Sequence, residues 1–133
     1  MRPNGTFFLL SIGVLGWCAT AGCAADHTTD TLETVKKNLS DKKGVLLDVR
    51  ETDEWKSGHL KDAQHLALSK IQTGITAAEF AKLAPKGTIV YLHCAAGGRC
   101  LKAANALKEL GYDLRPLKPG FKDLREAGFL KAD

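Results

Sequence analysis

The segment His93-Cys94-Ala95-Ala96-Gly97-Gly98-Arg99-Cys100 gathers the residue types that can do chemistry. The run before it, Thr88 to His93, is rich in β-branched and aromatic residues and reads as a strand. The run after it has Leu101, Ala104, Leu107 and Leu110 at helical spacing and stops at Gly111. Cys94 to Arg99 is therefore a short turn between a strand and a helix. Gly97 and Gly98 permit positive φ, so successive amide N–H groups can converge as an anion nest. The helix behind them presents the positive end of its dipole. Ala95 and Ala96 keep the rim small, and Arg99 adds a permanent cation. These features depress a thiol pKa and favour the thiolate, and the same donors suit an anionic substrate. Cys94 is thus the candidate nucleophile. Ala95, Ala96, Gly97, Gly98 and Arg99 are the candidate substrate cradle, in a loop expected to be open. An inert buried cysteine would need no Gly-Gly-Arg after it.

Other candidates have two readings each. Cys100 is either a resolving thiol or a small residue opening the helix, its thiol a weak donor. The second is favoured because a tight loop resists disulfide geometry. Asp48 and Arg50 either support the active loop or form a structural ion pair, with Arg50 meeting Glu54 at i, i+4; the structural role is favoured. Successive strand residues face opposite ways, so His93 is expected to pack elsewhere rather than serve Cys94 as a base. His59, His65 and the cysteines match no zinc spacing, and no metal or cofactor is required. Trp55 is expected to anchor its short helix in the core.

The elements that must position Cys94 alternate. A helix is expected over 31–39, with Asp30 and Glu33 as a capping-box-like start. Val45–Val49 suits a buried parallel strand. A short helix over 53–57, a strand over 63–66, a helix over 76–83, a strand over 112–117 and a closing helix over 121–127 follow. Residues 26–30 read as a polar lead-in. The fold class is α/β, one domain with a mainly parallel central sheet and helices on both faces. Ligands of such sheets bind beyond the carboxyl ends of the strands, where Cys94 lies.

The chain has 133 residues and a formal charge of +4. Its lysines are scattered among acids, with no basic block interleaved with aromatics, so nucleic acid is not an expected partner. Mild positive charge favours small anions. Arg2, an uncharged apolar run over 7–19, and small residues up to Ala25 form the pattern of a secretory signal peptide. The run is too short to cross a ~30 Å hydrocarbon core comfortably. Residues 1–25 are read as the leader and 26–133 as the domain. Ala19-Thr20-Ala21 and Cys23-Ala24-Ala25 both fit a cut site, and Thr20-Ala21-Gly22-Cys23 resembles a lipobox, which would place a lipid on Cys23. The expected location is periplasmic, or membrane-anchored through that lipid alone.

Three motifs resemble the rhodanese-like domain family. Cys94-x-x-Gly97-x-Arg99 looks like its active loop. Leu47-Asp48-Val49-Arg50, Glu54-Trp55, Gly58-His59-Leu60 and Ala63 look like its leading motif. Gly120-Phe121, Leu124 and Ala127-Gly128-Phe129 look like its closing motif. Together they span 48 to 129 in order. Size and leader make the chain most similar to small exported single-domain members of the phage-shock type.

The resemblance implies a thiosulfate sulfurtransferase in which Cys94 takes sulfur from a small anionic donor as a persulfide. It then passes the sulfur to cyanide or a thiol by ping-pong covalent catalysis; the protein is expected to be monomeric. A non-turnover persulfide carrier or redox-sensing module stands as the alternative. Related phosphatases and arsenate reductases use a loop one residue longer, C-x5-R. The four residues between Cys94 and Arg99 make a smaller ring, better suited to a lone sulfur than to a phosphoryl group.

Overall fold

A computed structural model describes residues 24–133. Residues 1–23, which carry nearly all of the expected leader, its two earlier cut sites and Cys23, lie outside that range. Four strands, β1 (Gly44–Asp48), β2 (Ala63–His65), β3 (Ile89–His93) and β4 (Asp113–Pro116), form one parallel sheet in the order β2-β1-β3-β4. Helices α1 (Leu32–Ser40), α2 (Thr52–Lys56), α3 (Leu68–Thr73), α4 (Ala77–Leu83), α5 (Gly98–Leu107) and α6 (Phe121–Glu126) connect and cover it. A 3₁₀ turn over Lys108–Leu110 extends α5.

Strand alternation divides the core in two. Leu47, Val49, Val90 and Leu92 face Phe80 of α4, Ile71 of α3 and Ala103, Ala104 and Leu107 of α5. Leu46 and Tyr91 face the other way, with Val35 of α1 and Leu117, Leu124 and Phe129. Both faces are covered, as the apolar run over 45–49 demands of a parallel strand. β1 and β3 lie at the centre, with Asp48 opposite His93 at their carboxyl ends. That register brings the leading motif alongside the Cys94 loop.

Several expectations change locally. Thr31, not Asp30, caps α1, its hydroxyl accepting from Thr34 N–H at 3.1 Å. Asp30 instead accepts from Tyr91 Oη at 2.7 Å and Arg115 at 2.8 Å. Trp55 is not core: no residue of α2 is buried, and its half-buried ring stacks on His59 at 3.6 Å and His65 at 4.9 Å. The helix over 68–73 goes unforeseen, because only Leu68 and Ile71 anchor it and no side chain caps it.

Candidate active site

β3 delivers Cys94 to the carboxyl end of the sheet, and the chain turns at once into α5. Gly97 caps that helix with φ 87° and ψ −11°, a conformation only glycine adopts freely. Its N–H donates to Cys94 Sγ at 3.0 Å. A Cβ there would come within 2.5 Å of Lys118 O. The loop is gripped from the closing motif. Phe121 N–H donates to Cys94 O at 2.9 Å, and Ala95 O lies so close to Gly120 that a Cβ would meet it at 1.8 Å.

The Cys94 thiol pKa falls from the ordinary thiol range to about 4. The leading cause is a hydrogen bond from the Cys100 thiol. Burial works against it, and the N–H groups of Cys100, Ala96 and Gly97 add to the fall. Cys100 Sγ also lies 3.0 Å from Gly97 O and 3.2 Å from Leu117 O. One thiol proton serves one acceptor at a time, and an anionic Cys94 is the strongest of the three. The same hydrogen bond, with burial, pushes the Cys100 pKa far up. Cys100 therefore stays a protonated donor, which supports its reading as the small helix-opening residue. Both thiols are free.

Cys94 is only 1 % exposed, so the open loop expected from the sequence is corrected: the sulfur sits on the floor of a covered bowl. Ala95, Ala96 and Gly98 are exposed above it, while Gly97 is buried. Arg99 is not a free cation. Its guanidinium forks onto Glu54 at 2.5 and 2.8 Å, and this bond holds the Glu54 carboxyl down at about 2. The charge of Cys94 still adds to the raised pKa of Arg99.

Asp48 and Arg50 form the buried ion pair favoured from the sequence, but with each other. Arg50 Nε and Nη2 reach the Asp48 carboxylate at 2.7 to 3.0 Å. Glu54, the expected partner of Arg50, is taken by Arg99. Arg50 also donates to Gly58 O at 2.7 Å and lies over the Phe121 ring at 4.2 Å. It thus supports, at one remove, the residue whose N–H holds Cys94 O. His93 is fully buried, with Nε2 3.6 Å from Asp48. Burial, then Arg50, lowers its pKa, so it is neutral. Its place opposite Asp48, on the face away from Leu92, fits packing rather than base chemistry. A cavity of about 500 Å³ lined by Lys36, Gly44, Asp62 and Phe129 lies near the other end of β1 and contains none of these residues.

Two contributors carry no site signal in the sequence. Glu54 stands there only as part of the leading motif. His27 donates from Nε2 to Gly97 O at 2.7 Å, across 70 positions; nothing in the sequence DHTTD signals that contact.

The comparisons agree with this geometry. A family model described as "Rhodanese-like domain" matches residues 31–127. The chain is 32% identical over 85 residues to a mitochondrial protein of Schizosaccharomyces pombe provisionally named a thiosulfate sulfurtransferase, covering 58% of this chain and 59% of that one. It is 33% identical over 100 residues to tRNA uridine(34) hydroxylase of Chlamydia caviae, covering 68% and 29%. The chain thus spans 59% and 29% of the length of these curated relatives. The human single-domain sulfurtransferase TSTD1 shares its fold, with a TM-score of 0.59 at 21% identity over 79% of this chain and 97% of that one. With the model match covering most of the chain, and Cys94, Gly97, Arg99, Gly120 and Phe121 drawn into one loop assembly, the chain belongs to the rhodanese-like domain family.

Proposed function

We propose that this domain is a sulfurtransferase whose Cys94 carries sulfur as a persulfide, with thiosulfate or a similar anion as donor. The observation that carries the reading is the inward turn of the loop amides, seen in the 3.0 Å contact from Gly97 N–H to Cys94 Sγ. The thiolate attacks the outer sulfur of thiosulfate. The sulfur–sulfur bond of the donor breaks and its electron pair leaves with sulfite, while a new sulfur–sulfur bond forms on Cys94. A nucleophilic acceptor, cyanide or a thiolate, then takes the outer sulfur and returns the Cys94 thiolate. No proton need be lost from Cys94 during attack, because its pKa lies near 4. The amides that favour the thiolate also suit the persulfide anion.

Burial of Cys94 sets a condition on this chemistry. The exposed rim at Ala95 and Ala96 must give way for a donor sulfur to reach the floor, and two methyl side chains offer little resistance. Loop length supports sulfur over phosphate: the four residues between Cys94 and Arg99 make a ring better suited to a lone sulfur than to a phosphoryl group. The leader pattern supports work outside the cytoplasm.

The test is a mass spectrum of the full chain after thiosulfate treatment. The reading expects one added sulfur atom on the wild type and none on Cys94→Ala. Sulfur uptake by Cys94→Ala, or none by the wild type, overturns it. Persulfide formation without release to cyanide or thiols would favour a carrier.

A further inference from the structure

We propose that His27 is a positioning residue for Cys94: it locks the Gly97 carbonyl on the far side of the loop, so that the amides around the sulfur stay turned inward. The proposal rests on the reading of Cys94 as the reactive sulfur.

One peptide unit sets the geometry. Gly97 N–H faces Cys94 Sγ. With ψ near −11°, the next amide nitrogen lies on the same side of Gly97 Cα as its own nitrogen, and the carbonyl oxygen lies opposite. Two successive N–H groups then face one side, the geometry of an anion nest. Glycine does not hold this arrangement by itself. Rotation about ψ would swing the carbonyl dipole toward the thiolate and disturb the turn that points the N–H groups of Ala96, Gly97 and Cys100 at it.

Two donors fix the carbonyl. Gly97 O accepts from His27 Nε2 at 2.7 Å and from Cys100 Sγ at 3.0 Å. A carbonyl oxygen only accepts, so Nε2 carries a proton. The Cys100 proton is also drawn by Leu117 O and by Cys94 itself. When Cys94 is anionic and accepts the Cys100 hydrogen bond, His27 is left as the carbonyl's donor.

The segment after the ring is fixed. Thr28 N–H donates to Pro116 O of β4 at 2.8 Å, and Asp30 bonds Tyr91 and Arg115. Residues 27–30 thus form a strap along β4 with His27 against the loop. In a chain that keeps Ala25, its N–H also donates to Asn105 Oδ1 of α5 at 2.8 Å. The ring also stands 3.3 Å from where a Gly97 Cβ would be, so it backs the turn by contact as well as by hydrogen bond.

The test uses two variants of the full chain. His27→Leu keeps bulk and removes the donor; His27→Gln keeps a donor at similar reach. Each is read by the pH profile of Cys94 alkylation with iodoacetamide and by single-turnover sulfur uptake from thiosulfate. Expected for His27→Leu is an alkylation midpoint about one pH unit higher and uptake about tenfold slower, the scale of one lost hydrogen bond. His27→Gln should restore most of both, with all three proteins melting within a few degrees. A wild-type midpoint in His27→Leu, or equal losses in both variants, overturns the proposal. If the wild type takes up no sulfur, the sulfur-transfer reading falls, while the alkylation midpoints still decide the role of His27.

Discussion

On one face of the sheet Leu47, Val49, Val90 and Leu92 pack against Phe80, Ile71 and the small side chains of α5. On the other face the same two strands end in Asp48 and His93, with the Arg50 side chain folded back onto Asp48 beneath Phe121. The first face is apolar throughout and includes Cys94 and Cys100 in its cluster. The second carries a buried ion pair and a neutral histidine, and it grips the loop through Gly120 and Phe121. The difference separates two tasks. The apolar face sets how deep the sulfur lies, which by itself raises a thiol pKa. The Cys100 thiol, first, and then the loop amides, whose backbone the polar face holds in place, lower it. The second effect wins over the first, and the Cys94 pKa falls to about 4.

The sharpest way to break this division is Gly120→Ala. Its Cβ would fall 1.8 Å from Ala95 O, so the loop must move. A shift of about 1 Å in a reacting group costs on the order of 100-fold, and single-turnover sulfur uptake should fall by at least that much. The matching change on the apolar face is Phe80→Ala, a wholly buried ring. Denaturant unfolding should show a loss of about 3–5 kcal/mol, with uptake per folded molecule unchanged. If Phe80→Ala slowed uptake as much as Gly120→Ala, the two faces would not be separable.

A smaller effect is the pH dependence of stability. Cys94 is depressed to about 4 in the folded chain, against ~8.5 for a free thiol. Its ionisation therefore contributes stability that is complete above the unfolded value and is lost as pH falls through the folded one. Cys94→Ser should flatten the melting temperature between about pH 8 and pH 4 relative to wild type. Glu54→Gln should have the least effect. The Glu54–Arg99 pair is over a third exposed on the Glu54 side, so its loss should cost under about 1 kcal/mol and less in high salt. In the wild type that small contribution is present above the ordinary carboxyl value of 4.5 and disappears as pH falls toward about 2.

The sequence made the strand–loop–helix around Cys94 legible because its signals are local: a β-branched run, two glycines, a helical stripe. The sheet followed from alternation, and the closing motif pointed correctly to Gly120 and Phe121. What escaped is non-local. Arg99 and Glu54 are 45 positions apart and His27 and Gly97 are 70, and neither contact leaves a periodic trace. The depth of Cys94 was hidden for a related reason: small rim residues look open in one dimension, but Gly120 packs against Ala95 O and Lys118 O against Gly97 in three. Trp55 misled because an aromatic on a short helix reads as core, whereas flanking histidines provide its stack at the surface.

The central claim is that the turned-in amides and the Cys100 thiol keep Cys94 ionised despite its burial. The most direct measurement is the ultraviolet thiolate absorbance of the full chain as a function of pH, with Cys94→Ser as the blank. The account predicts a transition near pH 4 that Cys94→Ser lacks. A Cys94 transition at or above the ~8.5 of a free thiol would contradict it.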